Sequence, residues 1–136
     1  MQKFFNLIFL FLFAFLGCKK VKESEFNDPE WRKESLEISY NICLKLESCV
    51  KEDFTKIQKG LQNYARAEIK PEKCSDKNKK SRVYLLKGND PTLIKQVVKD
   101  CYSQIQRFSC EEIRSGSIKG SDACEKMRAI QQGNKI

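Results

Sequence analysis

Seven cysteines and a complete absence of histidine set the chemistry open to this chain. Without imidazole there is no Ser-His-Asp triad, no Cys-His nucleophile pair, no histidine metal ligand and no side chain that ordinarily titrates near neutral pH. Cysteine thiols can still be acylated, joined as disulfides or bound to a metal, and each use demands its own spacing and compartment. From Cys43 to Cys124 the cysteines are separated by 5, 24, 26, 8 and 13 residues, with no Cys-x-x-Cys pair. That spacing is unlike a zinc ribbon or finger, so no metal is expected. The adjacent acids Glu111 and Glu112 do not make an acid–base pair, because neighbouring helix residues point in different directions and helix capping accounts for Glu112. No catalytic constellation emerges, and the chain is read as a non-enzyme without a cofactor.

Cys18 stands apart from the other six. It closes an N-terminal stretch with one early cation, Lys3, and an uncharged apolar run from Leu7 to Leu16, the pattern of an export signal. The run is too short for a membrane-spanning helix, which needs roughly 20 apolar residues. Phe15-Leu16-Gly17-Cys18 resembles the lipobox of bacterial lipoproteins, whose cysteine thiol receives a diacylglyceryl group before the leader is cut just ahead of it. Phe15 stands where most lipoboxes have leucine. The alternative, an ordinary cleaved signal, wants a small-x-small site that Phe15 and Leu16 do not provide. The resemblance implies a leader over residues 1–17, a lipidated N-terminus and tether over 18–28, and a folded domain over 29–136. Acyl chains on Cys18 then hold the protein at a membrane, since two such signals suffice for stable attachment. The polar stretch Lys19 to Asn27 would span roughly 30 Å when extended, at about 3.3 Å per residue.

Assigning Cys18 to lipid leaves an even set: Cys43, Cys49, Cys74, Cys101, Cys110 and Cys124. An exported protein meets an oxidising compartment, so three disulfides are expected, each contributing roughly 2–4 kcal/mol. Six cysteines allow about 15 pairings. Cys43 and Cys49 lie six residues apart on one predicted helix, about 9 Å along its axis, whereas bridged Cα atoms usually approach within about 6.8 Å. These two therefore bind different neighbours. For Cys101 and Cys110 a predicted helix end intervenes, and the exclusion is weaker.

The elements that must position these cysteines are helical. Asp28-Pro29 is a helix start, with Asp capping free amides and Pro tolerated at the first helical position. Leu36, Ile38, Ile42, Cys43, Leu46, Cys49 and Val50 then share one side of the wheel. A second helix is predicted after Asp53, through Phe54, Ile57, Leu61, Tyr64 and Ala65, ending near Ile69 because Pro71 disfavours continuation. Residues Lys70 to Arg82 read as partly loop, followed by a short helix over Ser81 to Lys87 that Gly88 terminates. Asp90-Pro91 repeats the earlier start, with Leu93, Ile94, Val97, Val98, Cys101, Tyr102 and Ile105 as its apolar side. Ser109-Cys110-Glu111-Glu112 has the form of a capping box. After Gly116 and Gly120, a last helix is expected from Asp122-Ala123-Cys124-Glu125 to about Gln132. With no alternating strand pattern, the domain is read as all-α, a compact bundle of five or six short to medium helices stapled by three disulfides.

The formal charge is +8, and removal of Lys3 with the leader leaves about +7, a balance that favours anionic surfaces without naming one. Its densest cationic stretch is Lys70, Lys73, Lys77, Lys79, Lys80 and Arg82, a candidate anion-binding segment for sulfated glycan, anionic lipid or an acidic protein. The competing reading is a solvated loop. Nucleic acid is not expected as a partner, since no aromatic residues interleave with the cations. Trp31 is either an exposed anchor or a cap over one end of the bundle, the second being the commoner fate of such a residue. Tyr40, Tyr64, Tyr84 and Tyr102 could line a cavity, although Tyr64 and Tyr102 also fit core stripes.

The lipobox with Phe15, the Lys-rich tether and a helical six-cysteine domain that includes Ser109-Cys110-Glu111-Glu112-Ile113-Arg114 and Cys124-Glu125-Lys126-Met127 resemble the small cysteine-containing lipoproteins of spirochaetes, leptospires in particular. The resemblance implies a cell-envelope location, the outer membrane in preference to the inner, and little about chemistry. Two functions remain: a non-catalytic binding or interaction module, and a structural envelope protein without a specific ligand. A binding module should present a concave pocket or an exposed apolar patch, whereas a spacer need present neither.

Overall fold

The computed structural model describes residues 28–51, 53–56 and 58–136. The expected leader, Cys18 and the tether up to residue 27 lie outside the described residues, as does Ile57. Among the described residues there are six α-helices and no strand: α1 (Pro29–Val50), α2 (Lys59–Glu68), α3 (Pro71–Asn78), α4 (Pro91–Arg107), α5 (Cys110–Ser115) and α6 (Asp122–Gln131). Short 3-10 turns occupy Asp53–Lys56 and Ser117–Gly120. No described helix is long and apolar enough to cross a membrane.

Local caps explain most of the boundaries. All three prolines open a helix, at the first positions of α1, α3 and α4, where the missing amide hydrogen would have no partner anyway. The Asp28 carboxylate accepts from the Trp31 amide at 2.8 Å and Asp90 from Leu93 at 3.0 Å. Ser109 and Glu112 form the reciprocal capping box, the Glu112 amide donating to Ser109 Oγ at 3.2 Å and the Ser109 amide to the Glu112 carboxylate at 2.7 Å. α6 begins one residue earlier in its capping than expected: Ser121, not Asp122, accepts from the Cys124 amide.

Three predicted elements are corrected. The helix expected from Asp53 is split into a 3-10 turn and α2, which ends at Ile69 as predicted. Residues expected to be partly loop form α3, since Pro71 not only ends α2 but starts the next helix. The helix expected over Ser81 to Lys87 is a series of turns. There the Ser81 hydroxyl accepts the Tyr84 amide at 3.1 Å, and the backbone passes into the left-handed region at Leu86, with φ 52°. The reward for that strain is burial of both Val83 and Leu86.

α1 packs on α3, α4 and α5, while α4 pairs chiefly with α6. The interior has two buried clusters. One joins Trp31, Ile38, Val83, Leu86, Ile94, Val97, Val98 and Ile130, and the other Cys101, Ile105, Ala123 and Cys124. Ile42 and Met127 touch both. Trp31 is buried, with its indole Nε1 donating to the Val83 carbonyl at 3.0 Å, so it caps the bundle rather than projecting from it.

The six cysteines form three bridges: Cys43–Cys74, Cys49–Cys110 and Cys101–Cys124, with Cα separations of 6.3, 4.8 and 4.6 Å. Cys43 and Cys49 go to different helices, as their spacing requires. The bridges tie α1 to α3, α1 to α5 and α4 to α6. At the second junction Arg114 of α5 also donates to the Cys49 carbonyl at 3.1 Å, supplying a partner to one of the open carbonyls that every helix leaves at its C-terminus.

Candidate functional site

A cavity of about 410 Å³ opens where the two core clusters meet. One wall is a single face of α1, on which Ser35, Ile38, Ser39 and Ile42 recur at three- and four-residue spacing. Val98 of α4, Met127 of α6 and Val83 also line it. α3 contributes Cys74, Lys77 and Asn78, of which Lys77 is exposed.

Why the space is left unfilled follows from α3. This helix is highly polar and buries only Pro71. Toward α1 it presents short side chains that bond to α1 carbonyls, Ser75 Oγ to Leu36 at 3.3 Å and Asn78 Nδ2 to Ser35 at 3.2 Å. With the Cys43–Cys74 bridge these contacts hold α3 beside α1, yet none of them reaches Val98 or Met127 with apolar bulk. Ser35 and Ser39, small residues within the apolar side of α1, add to the gap. Close packing is the norm in protein interiors, so a cavity of this size reflects the side chains assigned to it.

Several polar groups inside already have partners. Ser35 Oγ donates to the Arg32 carbonyl at 3.3 Å, and Ser81 Oγ donates to Asn78 Oδ1 at 2.8 Å. The rim is different. Lys77 reaches Glu68, which also receives Lys73, so two cations share one carboxylate. The hydrogen bond from Lys73, then that from Lys77, lowers the Glu68 pKa from 4.5 to about 2.

Lys79 pairs with Asp76 at 2.8 Å, and that hydrogen bond raises the Lys79 pKa. Lys80 is exposed, and Lys70 borders a separate hollow with Leu44, Glu47, Ser48, Lys51 and Arg66. Arg82 turns to the opposite side, its guanidinium packed against Gly88 and Gly133 so closely that a Cβ on Gly88 would lie 2.6 Å from Nη2. Its Nε is buried with no hydrogen-bond partner among the described residues. Within the cationic segment, Lys73 and Lys77 thus share one carboxylate, Lys79 is paired with Asp76, the Arg82 guanidinium packs against Gly88 and Gly133, and Lys70 and Lys80 stay exposed.

Among the aromatic candidates, Tyr102 packs on the core, Tyr40 is exposed, and Tyr84 is half-buried with the Arg32 guanidinium 5.8 Å from its ring centre. None of these lines the cavity, and the side chain of Tyr64 lies outside those described. The lining residues Ser39, Ile42, Val98 and Met127 carried no functional signal in the sequence beyond the two serines embedded in an apolar stripe. Comparison with protein-family models, with curated proteins and with solved structures finds no match in any of the three.

Proposed function

We propose that this protein is a lipid-anchored, non-catalytic binding module of the bacterial cell envelope, held at the membrane through acyl groups on Cys18, with the cavity between α1, α3, α4 and α6 as its ligand site. The cavity carries the reading: its volume of about 410 Å³ falls within the roughly 300–1,000 Å³ of small-molecule sites. A purely structural spacer has no need of such an opening. Three disulfides are in keeping with export to an oxidising compartment.

Mass spectrometry of protein extracted from membranes tests the proposal under native and denaturing conditions. The denatured mass should begin at Cys18 with acyl groups attached, and reduction of the three bridges should add about six hydrogens. Under native conditions a small non-covalent adduct should appear, and a Ser39→Phe variant, which fills the cavity from its rim, should lack it. An unmodified Cys18 would remove the anchor. Absence of an adduct from both proteins would leave the structural reading in possession.

A further inference from the structure

Taking the cavity as the ligand site, we infer that its occupant is a single-chain anionic amphiphile: one hydrocarbon chain ending in a carboxylate or phosphate. The interior selects for hydrocarbon. Ile38, Ile42, Val98 and Met127 face the space, and most of the polar groups among them are already paired, Ser35 with the Arg32 carbonyl and Asn78 with both the Ser35 carbonyl and Ser81, the Ser39 hydroxyl being the exception. A sugar or nucleoside placed there would bury donors and acceptors without partners, which is costly. An alkyl chain asks for no hydrogen bonds. Met127 suits such a guest, because its unbranched thioether adapts to irregular shapes.

Size and charge narrow the class. A cavity of about 410 Å³ is near the small end of the usual range of roughly 300–1,000 Å³, which argues for one chain and against a two-chain lipid. At the mouth, Lys77 and Lys73 share the single carboxylate of Glu68, so this trio carries one uncompensated positive charge. An anionic head leaving the cavity beside Lys77 would complete the set, whereas a cationic head would be repelled. Gln131, exposed at the same rim, offers a further amide donor. The head has two sources, a free fatty acid or a single-chain phospholipid, and the same binding experiment separates them.

Calorimetry on the membrane-extracted full chain in nanodiscs of zwitterionic lipid, with protein-free nanodiscs as the blank, titrated with decanoate, decyl phosphate, decanol and decyltrimethylammonium, provides the test. Fluorescence of Trp31 supplies a parallel signal, since it is the only tryptophan and donates to the carbonyl of Val83, a lining residue. Decanoate or decyl phosphate should saturate one site, the tighter of the two naming the source, with decanol about tenfold weaker and the cation weaker still, as expected for one charge-assisted hydrogen bond. Lys77→Gln should reduce the anions to the level of decanol. Ser39→Phe should abolish binding, and Gln131→Phe, at an exposed position, should weaken it if Ser39→Phe fails to fold. Equal binding of decanoate and decanol, unchanged by Lys77→Gln, would overturn the anionic head. Absence of binding by every amphiphile overturns the inference; a native adduct that persists beside it leaves the cavity as a site for other chemistry, and loss of both overturns the broader reading too.

Discussion

Replacing both cysteines of a bridge with alanine should destabilise the protein more at Cys101–Cys124 than at Cys43–Cys74, although the second closes the longer loop. The sequence separations are 23 and 31 residues. Loop-closure entropy alone gives about 3.4 kcal/mol for the shorter loop and about 3.7 for the longer, a difference of about 0.3 kcal/mol favouring Cys43–Cys74. Packing acts in the other direction and is larger. Cys101 is 0% exposed and Cys124 5%, within the cluster that includes Ile105 and Ala123, so two truncations there leave a void in a closed core, at about 1 kcal/mol each. Cys43 and Cys74 border the cavity, where the lost sulfurs already faced open space. Expected losses are therefore about 5 kcal/mol for Cys101→Ala with Cys124→Ala and about 4 for Cys43→Ala with Cys74→Ala. Urea unfolding followed by far-ultraviolet circular dichroism measures both, with the slopes compared because an opened bridge expands the unfolded chain. If the Cys43/Cys74 variant proves the less stable, burial is not what ranks these bridges, and clamping of α3 onto α1 outweighs core packing.

Other consequences are equally open to measurement. The ion pairs of Glu68 should contribute fully above its ordinary pKa of 4.5 and fade as the pH falls toward about 2, because protonation removes the acceptor; amide protection factors in α2 and α3, corrected for the intrinsic pH dependence of exchange, should fall over that interval, and Glu68→Gln should make that fall smaller. Trp31→Phe leaves the buried Val83 carbonyl without its donor and removes core volume, so the thermal midpoint should fall with a cost of about 2–4 kcal/mol. No bridge joins cysteines adjacent in sequence. Oxidation of the reduced chain without a thiol-exchange catalyst should consequently give mispaired forms that peptide mapping resolves, and added catalyst should convert them to the native pairing.

Features legible in the sequence were those governed by near neighbours. Asp28, Asp90 and Ser109 cap helices with amides three residues away, so short motifs suffice to announce α1, α4 and α5. The exclusion of a Cys43–Cys49 bridge needed only helical rise. α3 was less legible because residues 71–78 have no apolar stripe; its helix is held by Pro71, the Cys74 bridge and bonds to α1 carbonyls. The segment from Ser81 failed for the opposite reason. Val83 and Leu86 have helical spacing and Ser81 even caps the Tyr84 amide, but Trp31 takes the Val83 carbonyl, and the backbone enters the left-handed region at Leu86 instead. Likewise, the lysines of the basic segment could be seen together, whereas Glu68, which binds two of them, lies outside that segment. The cavity was hidden because it arises from small side chains on different helices failing to meet.

The order of the three bridges along the chain has a consequence for resistance to proteolysis. The closed intervals, 43–74, 49–110 and 101–124, overlap in succession, so every peptide bond between Cys43 and Cys124 is spanned by at least one of them. A protease that cuts once in that stretch, whether in a turn or a frayed helix, separates nothing: both pieces remain one covalent object. Against a single nick that stretch behaves like a chain of overlapping links, and only multiple cuts or reduction can release a fragment from between Cys43 and Cys124.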